Sequence, residues 1–236
     1  MKYGAVVFAS AAAAAFLAAP LAHQASAQSS TAQTDWTKRV TVSEKGGHIL
    51  GNPLARHQLV EYVSYTCNHC ANFEVTSHTP LKTVFVAEGH INTEVRNYVR
   101  DPVDLTAAML ARCGGRDKFF GNHKAFMAGQ SIWLKRVVET PAEVQKTWYE
   151  GSSVERMKKI AKDAQFYALM ENRGYTRAQL NTCLADETAQ QAIVGMTKYG
   201  QSLKITGTPS FTLGGKLIDK VHSWPSLKTV LAGLDR

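Results

Sequence analysis

Two cysteines three positions apart are the side chains of this sequence whose types and spacing could do chemistry. Cys67 and Cys70 lie in the segment EYVSYTCNHCANFE, directly after a run of β-branched and aromatic residues. A close cysteine pair can bind a metal ion, close a structural loop, or exchange electrons through a reversible disulfide. The other cysteines and the compartment of the protein decide between these chemistries.

The remaining cysteines and histidines argue against a structural zinc site. Such a site commonly uses two close cysteine pairs, or one pair and two histidines a few positions apart. The chain has one close pair, and His57, His69 and His78 lack the required spacing. We therefore expect no metal and no other cofactor. A soft-metal-binding protein is the alternative from another class, although no methionine lies between residues 2 and 108.

The N-terminus has the pattern of a cleavable secretory signal. Lys2 precedes an alanine-rich apolar run, and Ala25, Ser26 and Ala27 form the small-x-small pattern of a cleavage site. The run is short for a permanent membrane span, which is the alternative. We predict export to a bacterial periplasm, where a close cysteine pair is more often a disulfide than half of a zinc site.

The two other cysteines are candidates for a structural disulfide. Cys113 and Cys183 remain as an even pair once the close pair is set aside, and export favours their oxidation. Their sequence neighbours are apolar, so two buried free thiols are the alternative. A bridge between them would stabilise the fold without joining the chemistry.

The elements around the close pair follow from the residue pattern. Residues 57–65 read as a strand, residues 67–87 have helical spacing, and residues 90–99 alternate as a second strand does. Thr66 is expected to cap the helix, and Pro80 is expected to kink or break it. A strand, a helix and a strand in this order predict a parallel pair with a right-handed crossover.

This arrangement places Cys67 at a helix N-terminus. Free N–H groups and the positive end of the helix dipole favour its thiolate there. His69 adds an imidazole and Asn68 an amide donor, while Cys70 lies deeper and should be less exposed. We expect Cys67 to attack and be attacked, and Cys70 to reclose the pair. A stabilised thiolate makes the disulfide a stronger oxidant, and a structural loop without turnover is the alternative.

A second informative segment, KITGTPSFTLGGKLIDK, lies near the C-terminus. Thr208 and Pro209 precede a short strand, and Gly214 and Gly215 form a hairpin turn. The threonine-proline pair alone carries little weight. Together with a cysteine pair that follows a strand, it becomes much more specific.

Together these segments resemble the thioredoxin superfamily and, within it, the DsbA family of periplasmic disulfide oxidoreductases. The segment GGHILGNPLARHQLVEYVSYTCNHC is especially similar to DsbA-like proteins of alphaproteobacteria. The resemblance implies an α/β, thioredoxin-like fold with an inserted helical subdomain. It divides the chain into a signal peptide at 1–27, an extension at 28–39, a thioredoxin-like domain at 40–100 and 204–236, and a helical insertion at 101–203.

The resemblance also implies roles for individual residues. Pro209 would be the cis-proline that faces the sulfurs, and Thr208 would offer backbone groups to an extended substrate. Asn68 departs from the family, because many members carry proline at this position. The departure leaves the degree of thiolate stabilisation open.

Two acidic residues match acids of the family. Glu61 corresponds to the acid beneath the disulfide, where it could relay a proton to or from Cys70 if burial raises its pKa. An exposed strand residue is the alternative for Glu61. Glu74 corresponds to a second acid on the helix, and a solvated surface position is equally open for it.

The resemblance implies that the protein exchanges disulfides with unfolded or partly folded exported proteins. The favoured direction is oxidation of these substrates. A membrane thiol oxidase would re-oxidise the pair. An isomerase or reductase is the alternative. Isomerases usually carry a dimerising arm, and residues 28–39 are too short to form one, so we expect a monomer.

The net charge of +8 comes without a run of five basic residues, which argues against nucleic-acid binding.

Overall fold

The computed structural model describes residues 1–6, 8–9 and 34–234. The chain divides into two units, Met1–Thr34 and Asp35–Arg236, and the fold described below belongs to the second. Most of the signal predicted at 1–27 lies outside the described residues, as do residues 28–33 of the extension. Both therefore stay predictions.

Six strands of the described chain form one mixed sheet. They are β1 (Val40–Val42), β2 (His48–Leu50), β3 (His57–Val63), β4 (Ile91–Asn97), β5 (Ser210–Leu213) and β6 (Lys216–Leu217). The strand order is β1-β2-β4-β3-β5-β6. β3 and β4 are parallel along their whole lengths, and the other neighbouring pairs are antiparallel. The predicted parallel pair is confirmed, and it places β3 at the centre of the sheet.

The crossover between β3 and β4 begins with the helix that carries the cysteine pair. Helix α1 spans Asn68–Pro80 and continues into wider π-helical turns over Leu81–Val86. Proline has no N–H to donate and its ring crowds the preceding turn, so regular α-helical bonding is interrupted around Pro80. The expected break is therefore a change of helical geometry without a gap.

Eight helices lie between β4 and β5 in the described sequence. They are α2 (Pro102–Ala111), α3 (Arg116–Ala128), α4 (Gln130–Glu139), α5 (Ala142–Thr147), α6 (Ser153–Asp163), α7 (Phe166–Glu171), α8 (Arg177–Leu184) and α9 (Glu187–Ser202). Asp101, Ser152 and Thr176 cap α2, α6 and α8 through their side chains. Helix α10 (Trp224–Ala232) follows β6. None of the helices in the described ranges is long and apolar enough to cross a membrane.

The two largest of three hydrophobic clusters among the described residues hold these layers together. One contains Phe73 of α1, Phe211 of β5 and Leu227 of α10, and packs these helices on the sheet. The larger one joins the helices of the insertion and includes Cys67 and Cys70. The cysteine pair is therefore contiguous with the core of the helical insertion, so packing there can influence the position of the sulfurs.

A disulfide ties two helices of the insertion together. Cys113, in the turn after α2, is bonded to Cys183 of α8, with a sequence separation of 70 residues. Cys113 is buried, and its carbonyl oxygen accepts hydrogen bonds from Asn122 and Tyr175. The bridge thus lies beyond the C-terminal end of α2, where Cys183 is half-buried and both cysteines line a surface groove.

Candidate active site

Cys67 itself is the residue that begins the helix after β3. Its backbone is extended (φ −97°, ψ 116°), and it is the N-cap of α1. The expectation that Thr66 caps this helix is wrong. The hydroxyl of Thr66 lies before the N-cap position and donates to the carboxylate of Asp101 at 2.6 Å, a charge-assisted hydrogen bond.

The two sulfurs differ in their access to solvent. Both cysteines are free thiols in this structure. Cys67 is 5% exposed and Cys70 is fully buried behind it. The Cys67 thiol donates to the carbonyl oxygen of Thr208 at 3.1 Å. Access from solvent is therefore through Cys67, as the sequence predicts.

The loop before β5 brings Thr208 to the sulfur. The peptide bond between Thr208 and Pro209 is cis. The loop is held by a hydrogen bond from the Ser210 hydroxyl to the Gly207 carbonyl at 2.8 Å and by His222, whose Nδ1 lies 2.8 Å from the Pro209 carbonyl oxygen. A backbone edge thus lies beside the accessible sulfur, where an extended peptide could pair with it.

The surroundings of Cys67 favour its thiolate. A hydrogen bond from the Cys70 thiol is the largest cause, and it lowers the pKa of Cys67 to about 5 against the opposing effect of burial. The Cys67 side chain makes no capping hydrogen bond of standard geometry, but the N–H groups of Cys70 and His69 still stabilise its negative charge. Cys67 is therefore an ionised nucleophile at neutral pH.

The two residues between the cysteines contribute less than the sequence suggests. The side chains of Asn68 and His69 are exposed. His69 acts on Cys67 through its backbone N–H. The thiolate is thus stabilised chiefly by Cys70, then by the Thr208 side chain, and then by the N–H groups of the first helical turn, which any residue at position 69 other than proline can supply.

Cys70 has the opposite character. Burial raises the pKa of Cys70 well above its usual range, and its hydrogen bond to Cys67 raises it further. The sulfur is closed off from solvent by the core of the insertion. Cys70 is therefore a protonated thiol that needs a proton acceptor before it can attack.

Alkylation of the reduced protein should separate the two thiols. We expect iodoacetamide to label Cys67 at a rate that rises through pH 5, since its pKa is about 5, whereas Cys70 stays nearly unlabelled. Mass spectrometry of digested samples quenched between pH 4 and pH 9 measures both rates. Labelling of Cys67 that begins only near pH 9, or faster labelling of Cys70, would contradict this arrangement.

Glu61 is a buried acid near the cysteine pair. It lies in the middle of β3, opposite Val95 and Phe211, and is 5% exposed. Burial raises its pKa well above the usual range, and the negative charges of Glu74 and Cys67 raise it further. The alternative of an exposed strand residue is wrong, because both neighbouring strands and the helices cover this position. A carboxyl group in this state stays protonated at pH values where an exposed glutamate is ionised, so it can act as a proton donor.

Glu74 is buried as well, although the sequence equally allowed a surface position. Its carboxylate lies 2.8 Å from His78 and 3.5 Å from His123. Burial opposes ionisation, but hydrogen bonds from His123 and His78 prevail and lower the pKa of Glu74 to about 2. A cavity of about 30 Å³ lies between Glu61 and the Glu74–His78 pair, which is large enough for one water molecule.

The segment that leads into Cys67 is held from the helical insertion. Asp104 of α2 accepts hydrogen bonds from the Tyr65 N–H at 2.7 Å and from the Ser64 hydroxyl at 2.6 Å. Gln130 of α4 donates to the carbonyl oxygens of Tyr65 and Cys67 at 2.6 and 2.8 Å. Our reading of the sequence missed both residues. Asp104 follows Pro102 in the first turn of α2, where acidic residues are common, but Gln130 has no local signal.

The histidines and cysteines of the described residues do not gather into a larger metal-binding cluster. Among residues 1–6, 8–9 and 34–234, no group of three or more His, Cys, Asp and Glu side chains could hold a metal ion. The histidines nearest to the pair in sequence have other settings, since His69 is exposed and His78 is bound to Glu74.

Comparisons with known proteins agree with this geometry. A family model described as Thioredoxin matches residues 43–232. A solved structure named protein-disulfide isomerase from Novosphingobium aromaticivorans is 38% identical, with a TM-score of 0.76, over 80% of this chain and 98% of that chain. Wolbachia pipientis alpha-DsbA1 is 23% identical, with a TM-score of 0.58, over 82% of this chain and 92% of that chain; this likeness shows the fold alone.

Curated relatives are more distant and longer. A Rickettsia bellii protein provisionally named a protein-disulfide oxidoreductase is 26% identical over 80% of this chain and 63% of that protein. A similarly named Rickettsia typhi protein is 27% identical over 78% of this chain and 60% of that protein. The chain thus spans less than two thirds of these relatives. The expected α/β, thioredoxin-like fold with a helical insertion is confirmed, and the chain belongs to the thioredoxin family with the fold of its DsbA-like members.

Proposed function

We propose that this protein is a periplasmic thiol-disulfide oxidoreductase that introduces disulfide bonds into exported proteins. The observation that carries the proposal is the contrast within the pair, since Cys67 is accessible with a pKa of about 5 and Cys70 is buried with a raised pKa. Stabilising the Cys67 thiolate stabilises the reduced protein, so the oxidised protein readily accepts electrons. The names of its relatives agree with this class of chemistry.

The reaction proceeds in two exchange steps. A substrate thiolate attacks the Cys67 sulfur of the oxidised pair, so a mixed disulfide forms and the bond to Cys70 breaks. Cys70 leaves as a thiolate and, because its pKa is high, takes a proton from Glu61. A second substrate thiolate then attacks the substrate sulfur of the mixed disulfide, and Cys67 leaves as a stable thiolate. The substrate loses two electrons and the pair gains them.

A new cycle requires a partner that takes two electrons from the reduced pair. We propose a membrane thiol oxidase for this role and unfolded or partly folded exported proteins as substrates, with the protein acting as a monomer. The export pattern at residues 1–27 supports this setting. Cell fractionation with mass analysis of the mature chain checks it, and recovery of the uncut chain in the cytosol would contradict it.

An isomerase is the second candidate, because the Novosphingobium relative bears that name. An isomerase must attack non-native disulfides in its reduced form, and an ionised Cys67 is able to do so. Two assays separate the roles. An oxidase forms bonds in a reduced two-cysteine peptide, whereas an isomerase restores activity to a substrate with scrambled disulfides.

Equilibration with glutathione at several pH values tests the proposed oxidase. We expect the equilibrium to favour the reduced protein, with a potential that falls by about 30 mV per pH unit above pH 5 and by about 59 mV below it. The change of slope follows from Cys67, whose proton is taken up on reduction only below its pKa of about 5. An equilibrium on the side of the oxidised protein would show that it acts as a reductant.

Replacing Glu61 by glutamine should slow the steps at Cys70. The amide keeps the shape of the side chain but cannot act as a general acid or base, and such groups typically contribute about 10²-fold or more. We therefore expect release of substrate from a mixed disulfide through Cys70 to slow by about 10²-fold at pH 7. Stopped-flow measurement of that step is the test, with the exposed Glu44→Gln as the control.

The same variant should alter stability with a defined sign. The folded-state pKa of Glu61 is raised, so the carboxyl group costs stability as the pH rises above its unfolded value of about 4.5. Glu61→Gln should therefore be more stable than the wild type at pH 7, and the difference should shrink toward pH 4. If Glu61→Gln changed neither the rate of substrate release nor the stability, Glu61 would not be a buried proton carrier for Cys70.

A further inference from the structure

One buried side-chain amide binds the backbone on both sides of Thr66. Gln130, the first residue of α4, is 3% exposed. Its Nε2 lies 2.6 Å from the carbonyl oxygen of Tyr65 and 2.8 Å from that of Cys67. An amide nitrogen carries two hydrogens, so each carbonyl receives one of them. Gln130 thus bridges the turn that delivers the nucleophile.

The Cys67 carbonyl also belongs to the first turn of α1. It accepts the helical hydrogen bonds from the N–H groups of Cys70 at 3.1 Å and Ala71 at 3.2 Å. The orientation of this carbonyl is set by the ψ angle of Cys67, which is 116°. A rotation of ψ would turn the carbonyl and the whole first turn of the helix relative to the Cys67 sulfur. Gln130 therefore opposes the rotation that would carry the helical N–H groups away from the sulfur.

Helix α2 binds the same turn through the N–H group of Tyr65. Asp104 accepts from the Tyr65 N–H at 2.7 Å, while Gln130 binds the carbonyl oxygen of that residue. Asp104 also accepts from the Arg100 N–H and the Ser64 hydroxyl and lies in the first turn of α2. Its removal would disturb the start of that helix. Both hydrogen bonds that the Gln130 side chain donates go to this turn. Its effect on the nucleophile can therefore be isolated.

We propose that Gln130 is a positioning residue for the thiol-disulfide reaction, holding the Cys67 carbonyl so that the first turn of α1 stays aimed at the Cys67 sulfur. The insertion then sets the reactivity of the pair through this amide, in addition to covering Cys70. The inference rests on the proposed chemistry of Cys67, but it does not depend on whether the protein oxidises or isomerises its substrates.

The chain contains a matched control for a purely structural role. Gln145 is half-buried in α5, and its Nε2 likewise donates to two carbonyl oxygens, those of Val137 at 3.2 Å and Thr140 at 2.8 Å. These carbonyls belong to α4 and the turn after it, not to the segment before α1. Gln145→Met therefore removes the same kind of hydrogen bonds from the insertion without touching the turn at Cys67.

The test compares Gln130→Met and Gln145→Met with the wild type. Methionine has a similar length and no N–H group, so each variant removes a side-chain hydrogen bond from two carbonyls, and both should lose stability in urea. Only Gln130→Met should change the nucleophile. We expect the midpoint of its thiolate absorbance at 240 nm to rise by about one pH unit, which corresponds to about a fivefold loss of thiolate at the wild-type pKa. The rate constant for attack on a disulfide peptide at pH 5 should fall accordingly.

The outcomes distinguish positioning from stability alone. A thiolate midpoint in Gln130→Met that equals the wild type, with stability lowered as in Gln145→Met, would overturn the proposal. If Gln130→Met does not fold, Gln130→Asn takes its place, because it keeps the amide but is too short to reach both carbonyls. Its midpoint should rise by a smaller amount, and an unchanged midpoint would also overturn the proposal. A wild-type midpoint near 9 would instead contradict the proposed function itself.

Discussion

Replacing Cys67 by serine is expected to abolish thiol-disulfide exchange, whereas replacing Cys70 by serine should trap it halfway. Cys67 is the accessible sulfur with a pKa of about 5, so no other thiol of the pair can meet a substrate. In Cys70→Ser the nucleophile remains, but the thiol that would release the substrate is gone. When a disulfide-bonded peptide is offered, Cys67 displaces one of its sulfurs as a thiolate, and the mixed disulfide should accumulate because no Cys70 thiol can resolve it. Mass spectrometry of acid-quenched samples measures it.

The control for this experiment is the Cys113→Ala/Cys183→Ala variant, which keeps the redox pair and should turn over as the wild type does. Cys67→Ser should form no mixed disulfide at any peptide concentration. The assignment would be reversed if Cys67→Ser trapped substrate and Cys70→Ser were inert. Such a result would mean that the buried sulfur reaches solvent, which requires α1 and the insertion to separate.

Of all the substitutions described above, Cys113→Ala/Cys183→Ala should lower the free energy of unfolding the most. The bridge closes a loop of 70 residues, and its removal releases chain entropy in the unfolded state that corresponds to about 4 kcal/mol. Urea unfolding of the oxidised proteins measures the loss. The exchange activity should stay within about twofold of the wild type, because α2 spans 10 residues, which separates the bridge from the Cys67 turn by roughly 15 Å.

Selective reduction gives an independent check on the same bridge. Mild dithiothreitol should reduce the Cys67–Cys70 pair first, because that disulfide is the stronger oxidant and Cys67 is accessible. Non-reducing digestion should then still recover the peptide pair joined through Cys113 and Cys183. Two free thiols at these positions in the untreated protein, or a loss of stability below about 1 kcal/mol, would contradict the structural role of the bridge.

The sequence by itself was sufficient for the elements that carry the cysteine pair. Alternating and β-branched residues marked β3 and β4, and helical spacing marked α1, because side chains in regular elements recur with the period of the backbone. The close spacing of Cys67 and Cys70 then placed one sulfur at a helix start and the other a turn deeper. These are local relations, and the structure retains them.

The surroundings of the pair were decided by the tertiary structure. The Thr208 carbonyl reaches Cys67 across 141 residues, and Gln130 reaches it across 63. Glu74 became a buried anion because His123 of α3 packs beside it, and the Thr66 hydroxyl bonds to Asp101 across 35 residues while Cys67 takes the N-cap position. Side-chain partners so distant in sequence depend on how the insertion packs on the sheet, which leaves no periodic pattern in the chain. The pair could therefore be found from sequence, whereas the contacts that set its reactivity required the fold.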